Sequence, residues 1–125
     1  MNRKDDGRMI FKGISRIFDL SDEQQYESIG QFWDEMAIMH GLENLRGLGY
    51  AWQGNTLSYA IGLKEGDINN FNVCIQLPDD GWMTVKGLTN YLKTLYDEIY
   101  KSGRLLYEIE LFYEDGTCEI HYYRM

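Results

Sequence analysis

The sequence is poor in the residues that build disulfide scaffolds, metal sites and linkers. It has two cysteines and one proline in 125 residues. Cys74 and Cys118 stand alone, outside any Cys-x-x-Cys or Cys/His ligand spacing. We therefore expect both to be small buried hydrophobic residues in a reducing compartment. The sequence predicts no metal site and no cofactor.

Positive charge is also scarce. Lys and Arg number 12 against 20 Asp and Glu, which gives a formal net charge of −8. A surface of this sign repels a phosphate backbone, so direct nucleic-acid binding is not expected, and neutral or cationic partners are favoured. The chain has no apolar run long enough to span a membrane, and its start, MNRKDDGR, is unlike a signal peptide. These features predict a cytoplasmic protein with no membrane partner.

Aromatic residues are abundant instead. They make up 14% of the chain, with ten tyrosines and three tryptophans, and 44% of all residues are hydrophobic. A chain of this size can bury the core of one domain, which we place at 1–125 with residues 1–7 disordered. The rings predict a surface or cavity that combines apolar faces with polar edges.

Hydrophobic periodicity divides the chain into strands and two helices. Ser21 and Gln24 have the spacing of a capping box at the start of the first helix, and Gly41 is expected to end it. The second helix is predicted from Thr89 to Ser102, and Gly103 is placed to end it. The predicted strands lie in MIFKGISRIF, GYAWQGNTLSYAIGL (a hairpin), FNVCIQL, WMTVKG, LLYEIELFY and TCEIHYYRM.

Three short sequences recur in the same order along the chain. FKGI matches VKGL, FWDEM matches LYDEI, and WQGNT matches YEDGT. The match predicts an internal repeat over about 8–63 and 71–125, each copy reading strand, helix, strand, strand. The predicted fold is therefore α+β with pseudo-twofold symmetry, in which an antiparallel sheet carries two helices on one face and a cleft lies between the halves. Repetition of Asp34-Glu35 as Asp97-Glu98 marks these carboxylates as scaffold, with Asp34, Glu35 and Asp97 facing solvent.

The chain resembles the GyrI-like small-molecule-binding domain, which is also the effector-binding module of some AraC-type and MerR-type multidrug regulators. The resemblance rests on FKGISR with IGQFWDEM, on SYAIGL, on LPDDGWMTVKG and on IELFYED. In the last of these, Ile109, Glu110 and Phe112 match the family's Phe-Glu-x-Tyr pattern. The resemblance implies a bacterial protein of SOUL-like fold with a cleft in which aromatic residues, and often a glutamate, receive hydrophobic and frequently cationic ligands.

Glu110 is the first candidate for the counter-charge of such a ligand. In an extended LLYEIELFY strand the odd-numbered residues face the core, while Glu108 and Glu110 share the other face with apolar neighbours. The structural alternative is a solvated polar face. Matching the hairpin turns of the two halves places Glu110 at the position of Gly49, so the carboxylate belongs to one half only. Glu108 is the second candidate.

The other candidate ligand contacts are apolar or aromatic. Trp33 lies at the centre of the apolar face of the first helix, where a core role is equally expected, and Met36 lies on its flank. Strand alternation places Tyr50 and Trp52 on one side of the first hairpin. Trp82, directly after a turn, is expected to be partly exposed. The full set of predicted ligand-binding residues is Glu110, Glu108, Trp33, Met36, Tyr50, Trp52, Tyr59, Trp82 and Phe112.

The function predicted from these features is a stand-alone protein that senses or sequesters a hydrophobic small molecule, with cations among the candidates. The resemblance implies two alternatives: a hydrolase of reactive cyclopropane-type compounds with Glu110 as acid or base, and a protein that interacts with DNA gyrase. No GxSxG, HExxH, P-loop or GxGxxG pattern indicates catalysis independently. A homodimer contact through tyrosines and a separate DNA-binding regulator as partner also remain open.

Overall fold

The structure, a computed structural model, describes residues 9–19 and 25–125 and has the predicted α+β fold. The predicted capping box and residues 1–7 lie outside the described residues. The elements are β1 (Met9–Asp19), α1 (Gln25–His40), β2 (Leu45–Gln53), β3 (Thr56–Leu63), β4 (Val73–Leu77), β5 (Met83–Leu88), α2 (Leu92–Lys101), β6 (Leu105–Phe112) and β7 (Thr117–Arg124).

The strands form one antiparallel sheet in the order β4-β1-β3-β2-β6-β7-β5. Within the sheet, β1, β3 and β2 of the first half are followed by β6, β7 and β5 of the second half. These last three strands are the counterparts of β2, β3 and β1, respectively. The pseudo-twofold axis therefore passes between β2 and β6, the central pair of strands. Strand β4 lies in the chain range of the second copy, 71–125, and has no counterpart in the first half; it extends the sheet at one edge, where it pairs with β1.

Strand register confirms the predicted equivalence of Glu110 and Gly49. In the first half Gly49 pairs with Tyr59, and at the same point of the second half Glu110 pairs with Ile120. Both pairs lie beside the central axis. The two halves thus have the same strand register at this point, but one half has a glutamate where the other has a glycine.

Both helices cover the same face of the sheet, as predicted, and each builds a core of its own. Full burial of a large apolar side chain contributes roughly 1.5–3 kcal/mol. Trp52 contacts both cores. The core under α1 contains Phe32, Trp33, Met36, Leu45, Leu57, Tyr59, Ile61 and Ile68, and the core under α2 contains Tyr96, Ile99, Leu105, Ile120 and Tyr122.

The opposite face of the sheet holds a third apolar cluster. Its buried members are Phe11, Leu48, Ala60, Leu77 and Ile109. The connection from β4 to β5 covers part of it with the ring of Trp82, whose Nε1 donates a hydrogen bond of 2.8 Å to the Pro78 carbonyl. The ring of Trp82 also packs against Tyr107 and Tyr123.

Each helix ends just before a glycine, as predicted. Gly41 has φ +87° and its N–H donates to the Ala37 carbonyl at 2.8 Å, and Gly103 has φ +130°, a region that favours glycine. The second helix is shorter than predicted because Thr89–Tyr91 forms a 3₁₀ turn before α2 begins. Neither α1 nor α2 is long and apolar enough to cross a membrane.

The prediction that both cysteines are buried holds for one of them. Cys118 on β7 is 1% exposed, whereas Cys74 on the edge strand β4 is exposed. The reason is the alternation of β4, which turns Val73 and Ile75 inward and Cys74 outward. Both cysteines are free thiols.

Candidate ligand-binding site

A cavity of about 620 Å³ opens between α1, α2 and the central strands of the sheet. It exists because each helix covers its own half and leaves a gap over the pseudo-twofold axis. Pockets of roughly 300–1,000 Å³ hold drug-sized molecules. The lining residues are Ile29, Gly30, Trp33, Asp34, Leu42, Trp52, Leu57, Tyr59, Thr89, Asn90, Leu92, Tyr96, Tyr100, Glu108, Glu110, Phe112, Tyr113, Glu114 and Gly116.

All the charged side chains that line this cavity are carboxylates. Asp34 and Glu114 are exposed, whereas Glu108 and Glu110 are buried at 4% and 5% exposure. No lysine, arginine or histidine is found among the lining residues in the described part of the chain. The cavity therefore has a negative electrostatic potential inside apolar and aromatic walls.

Glu110 is held by tyrosines from both halves of the protein. The Tyr59 hydroxyl donates to Oε1, and the Tyr96 hydroxyl donates to Oε2 at 2.6 Å. The Tyr59 hydroxyl in turn accepts a hydrogen bond of 2.9 Å from Trp33 Nε1. Trp33 and Tyr96 are the equivalent residues of the FWDEM and LYDEI repeats; Tyr96 hydrogen-bonds the Glu110 carboxylate directly, whereas Trp33 supports it through Tyr59.

Glu108 lies beside Glu110 with fewer hydrogen-bond donors. Its Oε2 accepts a hydrogen bond of 3.0 Å from the Tyr100 hydroxyl. Across the central strand pair it faces Gly49, where an added Cβ atom would come within 2.8 Å of Glu108 Oε1. The glycine that replaces a glutamate in the first half thus leaves the space that the Glu108 carboxylate occupies.

Neither buried glutamate has a basic partner among the residues that the structure describes. The ion pairs found among residues 9–19 and 25–125 involve other acids. Burial and the charge of Glu110 raise the pKa of Glu108 well above its usual range, and the Tyr100 hydroxyl opposes that shift. Burial also raises the pKa of Glu110, against the hydrogen bonds from Tyr59 and Tyr96.

The tyrosines that hold Glu110 remain hydrogen-bond donors over the physiological range. Burial raises the pKa of both Tyr59 and Tyr96 well above the ordinary value, and the neighbouring glutamates raise it further. Neutral phenols can therefore stabilise the carboxylate without supplying a positive charge. The ring of Tyr100 stacks on that of Tyr96 at 5.5 Å between centroids, which extends the aromatic wall.

Six of the nine predicted site residues lie around this cavity. The rings of Trp33 and Phe112 meet edge to face at 4.8 Å between centroids, and Trp52 closes the space between the two cores. The six are Glu108, Glu110, Trp33, Trp52, Tyr59 and Phe112.

The other three predicted residues lie elsewhere. Met36 is 2% exposed inside the α1 core, so its place on the flank of the helix does not bring it to the cavity. Tyr50 and Trp82 pack into the apolar cluster on the opposite face of the sheet. The Tyr50 hydroxyl contacts Ser15 Oγ there at 2.6 Å.

Predicting Tyr50 and Trp52 on one side of the hairpin was wrong. Ala51 has φ +53°, and the register of β2 with β3 shifts between Tyr50 and Gln53. This β-bulge breaks the alternation, so the two rings point to opposite faces. Trp52 enters the cavity because of the bulge.

The structural alternative of a solvated face on β6 is also wrong, because both glutamates are buried. The odd-numbered face is not a uniform core either. A register shift between Leu105 and Tyr107 places Leu105 in the α2 core, whereas Tyr107 and Ile109 pack on the other side.

Tyr96 and Tyr100 line the cavity but are absent from the predicted set of site residues. The signal lay in the repeat, because Tyr96 is the counterpart of Trp33. Tyr100 follows it by one helical turn, on the same face of α2. Aromatic residues at the same position of both repeats can thus indicate that the two halves line one cavity.

Comparison with known proteins bears on the fold. No protein-family model matches the chain, and no curated protein matches it in sequence. A solved structure of SAV2435 bound to tetraphenylphosphonium matches with a TM-score of 0.63, covering 93% of this chain and 88% of that chain at 16% identity. Identity at this level shows the fold alone. The chain therefore shares its fold with SAV2435, a protein that has been seen bound to a hydrophobic cation.

Proposed function

We propose that the chain binds hydrophobic organic cations in the cavity between α1 and α2. The observation that carries this proposal is the pair Glu108 and Glu110, which are 4% and 5% exposed with no ion-pair partner among the described residues. Burial of a carboxylate without a counter-ion is costly, and a cation in the cavity offsets that cost. The shared fold with SAV2435, whose structure contains tetraphenylphosphonium, supports the same class of ligand.

In this proposal Glu110 is the counter-charge. The hydroxyls of Tyr59 and Tyr96 occupy one lone pair on each carboxylate oxygen and fix its orientation. A cation that has no N–H donor needs no hydrogen bond from the site, so it can use the charge of Glu110 without displacing the tyrosines. The rings of Trp33 and Trp52 would each add roughly 0.5–2 kcal/mol of cation–π stabilisation.

Exposed acidic side chains make a second contribution to the attraction of cations. Asp34 and Glu114 line the cavity and are open to solvent. Together with the net charge of −8, they attract cations over a distance set by the ionic strength. This contribution affects the association rate and is screened by salt, whereas the attraction of the buried pair is screened much less. A protein with such a cavity would sense or sequester its ligand, as the resemblance to GyrI-like domains implies.

Calorimetric titration with tetraphenylphosphonium tests the proposal. We expect a dissociation constant on the order of micromolar, from the typical binding free energy per atom of a drug-sized ligand. Triphenylphosphine oxide, a neutral molecule of similar shape, is expected to bind at least about tenfold more weakly, since a desolvated charge pair is worth more than 1.4 kcal/mol. Most of this difference in affinity between the two ligands should persist at high salt concentration, because buried charges are screened little. Equal affinity for the two ligands, or no binding of the cation, would contradict the proposal.

The raised pKa of the buried carboxyls favours one second candidate, hydrolysis of reactive cyclopropane-type compounds in the same cavity. A carboxyl whose pKa is raised by burial is a better general acid than an exposed glutamate, and Glu110 or Glu108 would take that role. Turnover of an electrophilic cyclopropane compound, lost in Glu110→Gln, would select this function over passive binding.

A further inference from the structure

We propose that Glu108 matches the charge of the cavity to that of its occupant: it holds a proton while the cavity is empty and releases that proton to solvent when a hydrophobic cation binds. This inference rests on the proposed cation binding and assigns a distinct role to each of the two buried glutamates. Glu110 is the permanent charge, and Glu108 is the charge that appears with the ligand.

The positions of the two carboxyls are the first support. Glu108 and Glu110 are two residues apart on β6, so both side chains leave the same face of the strand. Both line one cavity and are almost fully buried. Two like charges in a shared apolar cavity repel each other strongly, so one of the two groups takes a proton.

Hydrogen bonding decides which group keeps the charge. Glu110 receives phenol hydroxyls on both of its oxygens, from Tyr59 and Tyr96. Glu108 receives one, on Oε2, from Tyr100, whose ring is 42% exposed. Donors stabilise the ionised form, so Glu110 is the better anion. The pKa of Glu108, raised well above the usual range by burial and by Glu110, agrees with this order.

In the described part of the chain no basic group compensates the charge of Glu108. Strand β2 offers Gly49, and β7 offers Tyr122, the pairing partner of Glu108. Arg124 lies over the Tyr122 ring at 5.0 Å, but its Nη2 donates to the Ile99 carbonyl at 3.2 Å. The titratable groups that face the cavity beside Glu108 are Tyr59 from β3, Tyr96 and Tyr100 from α2, Asp34 from α1, Tyr113 and Glu114 after β6, and Glu110. All are acids or phenols.

A cation in the cavity shifts Glu108 from its protonated form to its ionised form. Its charge stabilises the ionised form of Glu108, and the proton of the Glu108 carboxyl passes to water and then to the buffer. Proton release makes affinity for the cation rise with pH, by up to about tenfold per pH unit while one full proton is released. A neutral ligand supplies no such charge and releases no proton. Permanently charged phosphonium or quaternary ammonium ions, which have no proton of their own to lose, are therefore the class that this exchange favours.

Titration of tetraphenylphosphonium into the protein in phosphate and in Tris at one pH measures the number of protons released, since the two buffers differ in ionisation enthalpy. For the wild type we expect up to one proton per cation and an affinity that rises with pH. Glu108→Gln should release none and, over the pH range in which Glu110 stays ionised, bind with an affinity that is independent of pH and equals that of the wild type with Glu108 protonated. Glu98→Gln, which removes an exposed charge from α2, is the matched control and should behave like the wild type.

The empty protein gives a second measurement. Carbon-13 NMR of the glutamate side-chain carboxyls should show one group that stays protonated above the titration of the others, and Glu108→Gln should remove that signal. Absence of tetraphenylphosphonium binding would overturn the proposed function. Binding without proton release, or a Glu108 that is ionised at neutral pH in the empty protein, would overturn this inference alone.

Discussion

The double variant Glu108→Gln/Glu110→Gln is expected to lose tetraphenylphosphonium affinity by about 30-fold to 5,000-fold, because removal of one partner of a buried charge pair costs roughly 2–5 kcal/mol. Glutamine keeps the size of the side chain and one oxygen to accept from Tyr59 or Tyr96, so the shape of the cavity should be retained. The variant should bind triphenylphosphine oxide as tightly as the wild type does, or more tightly, since a neutral ligand no longer has to desolvate the buried carboxylates. Calorimetry with both ligands measures the change in preference.

The control for this variant removes the same number of charges from the surface. Glu65→Gln/Glu98→Gln alters two exposed glutamates outside the cavity. Its affinity for the cation should fall by no more than a fewfold, and the loss should shrink in high salt because exposed charges are screened. Equal losses in the two double variants would mean that net charge, rather than the buried pair, governs binding.

Stability should change in the opposite direction to binding. We expect Glu108→Gln/Glu110→Gln to raise the free energy of unfolding of the empty protein by several kcal/mol at pH 8, because the effective cost of burying even one carboxylate without a counter-ion is of that order. Buried carboxylates without a counter-ion destabilise the folded state, and neutral amides do not carry this cost. Urea unfolding at a series of pH values measures the difference.

The sign of the pH dependence follows from the direction of the shifts. Burial raises the pKa of Glu108 and of Glu110 in the folded protein, so the folded state binds more protons than the unfolded state. The stabilising contribution is therefore complete below the unfolded pKa of about 4.3 and is lost as pH rises through the folded values. The double variant lacks this loss, and its advantage should disappear in acid. A wild type whose stability rises between pH 5 and 8 more steeply than that of the variant would contradict this account.

Opposite effects on binding and stability are typical of a functional site. Tyr59, Tyr96 and Tyr100 keep the two carboxyls hydrogen-bonded but leave their charge unpaired. A purely structural polar cluster would gain from a buried arginine or lysine at this place. The empty protein thus retains an electrostatic cost that, under the proposed function, a cationic ligand relieves.

The sequence was sufficient to predict the architecture because it is repeated. Matching short sequences fixed the order of strands and helices in both halves, and the hairpin turns fixed the alignment of Glu110 with Gly49. That difference between the halves lies next to the pseudo-twofold axis, where a side chain from one half faces the backbone of the other. A glutamate at such a position is buried in the cleft rather than at the edge of the sheet.

The details that the sequence did not reveal depend on tertiary packing. Alternation separates the two faces of a strand, but it does not show that both faces of β6 are covered. The bulge at Ala51 has no sequence signal, since positive φ is uncommon for alanine. Trp82 packs on the sheet face opposite the helices because the short connection between β4 and β5 (78–82) runs there, and the local sequence pattern carries no information about this path.

The most direct test of cation binding is a crystal structure of the protein with tetraphenylphosphonium. We predict one cation in the cavity, with its phenyl rings against Trp33, Trp52 and Tyr96 and with the Glu108 and Glu110 carboxylates as the acids nearest to phosphorus. A cation held only by the exposed acids Asp34 and Glu114, with the buried pair out of reach, would contradict the account.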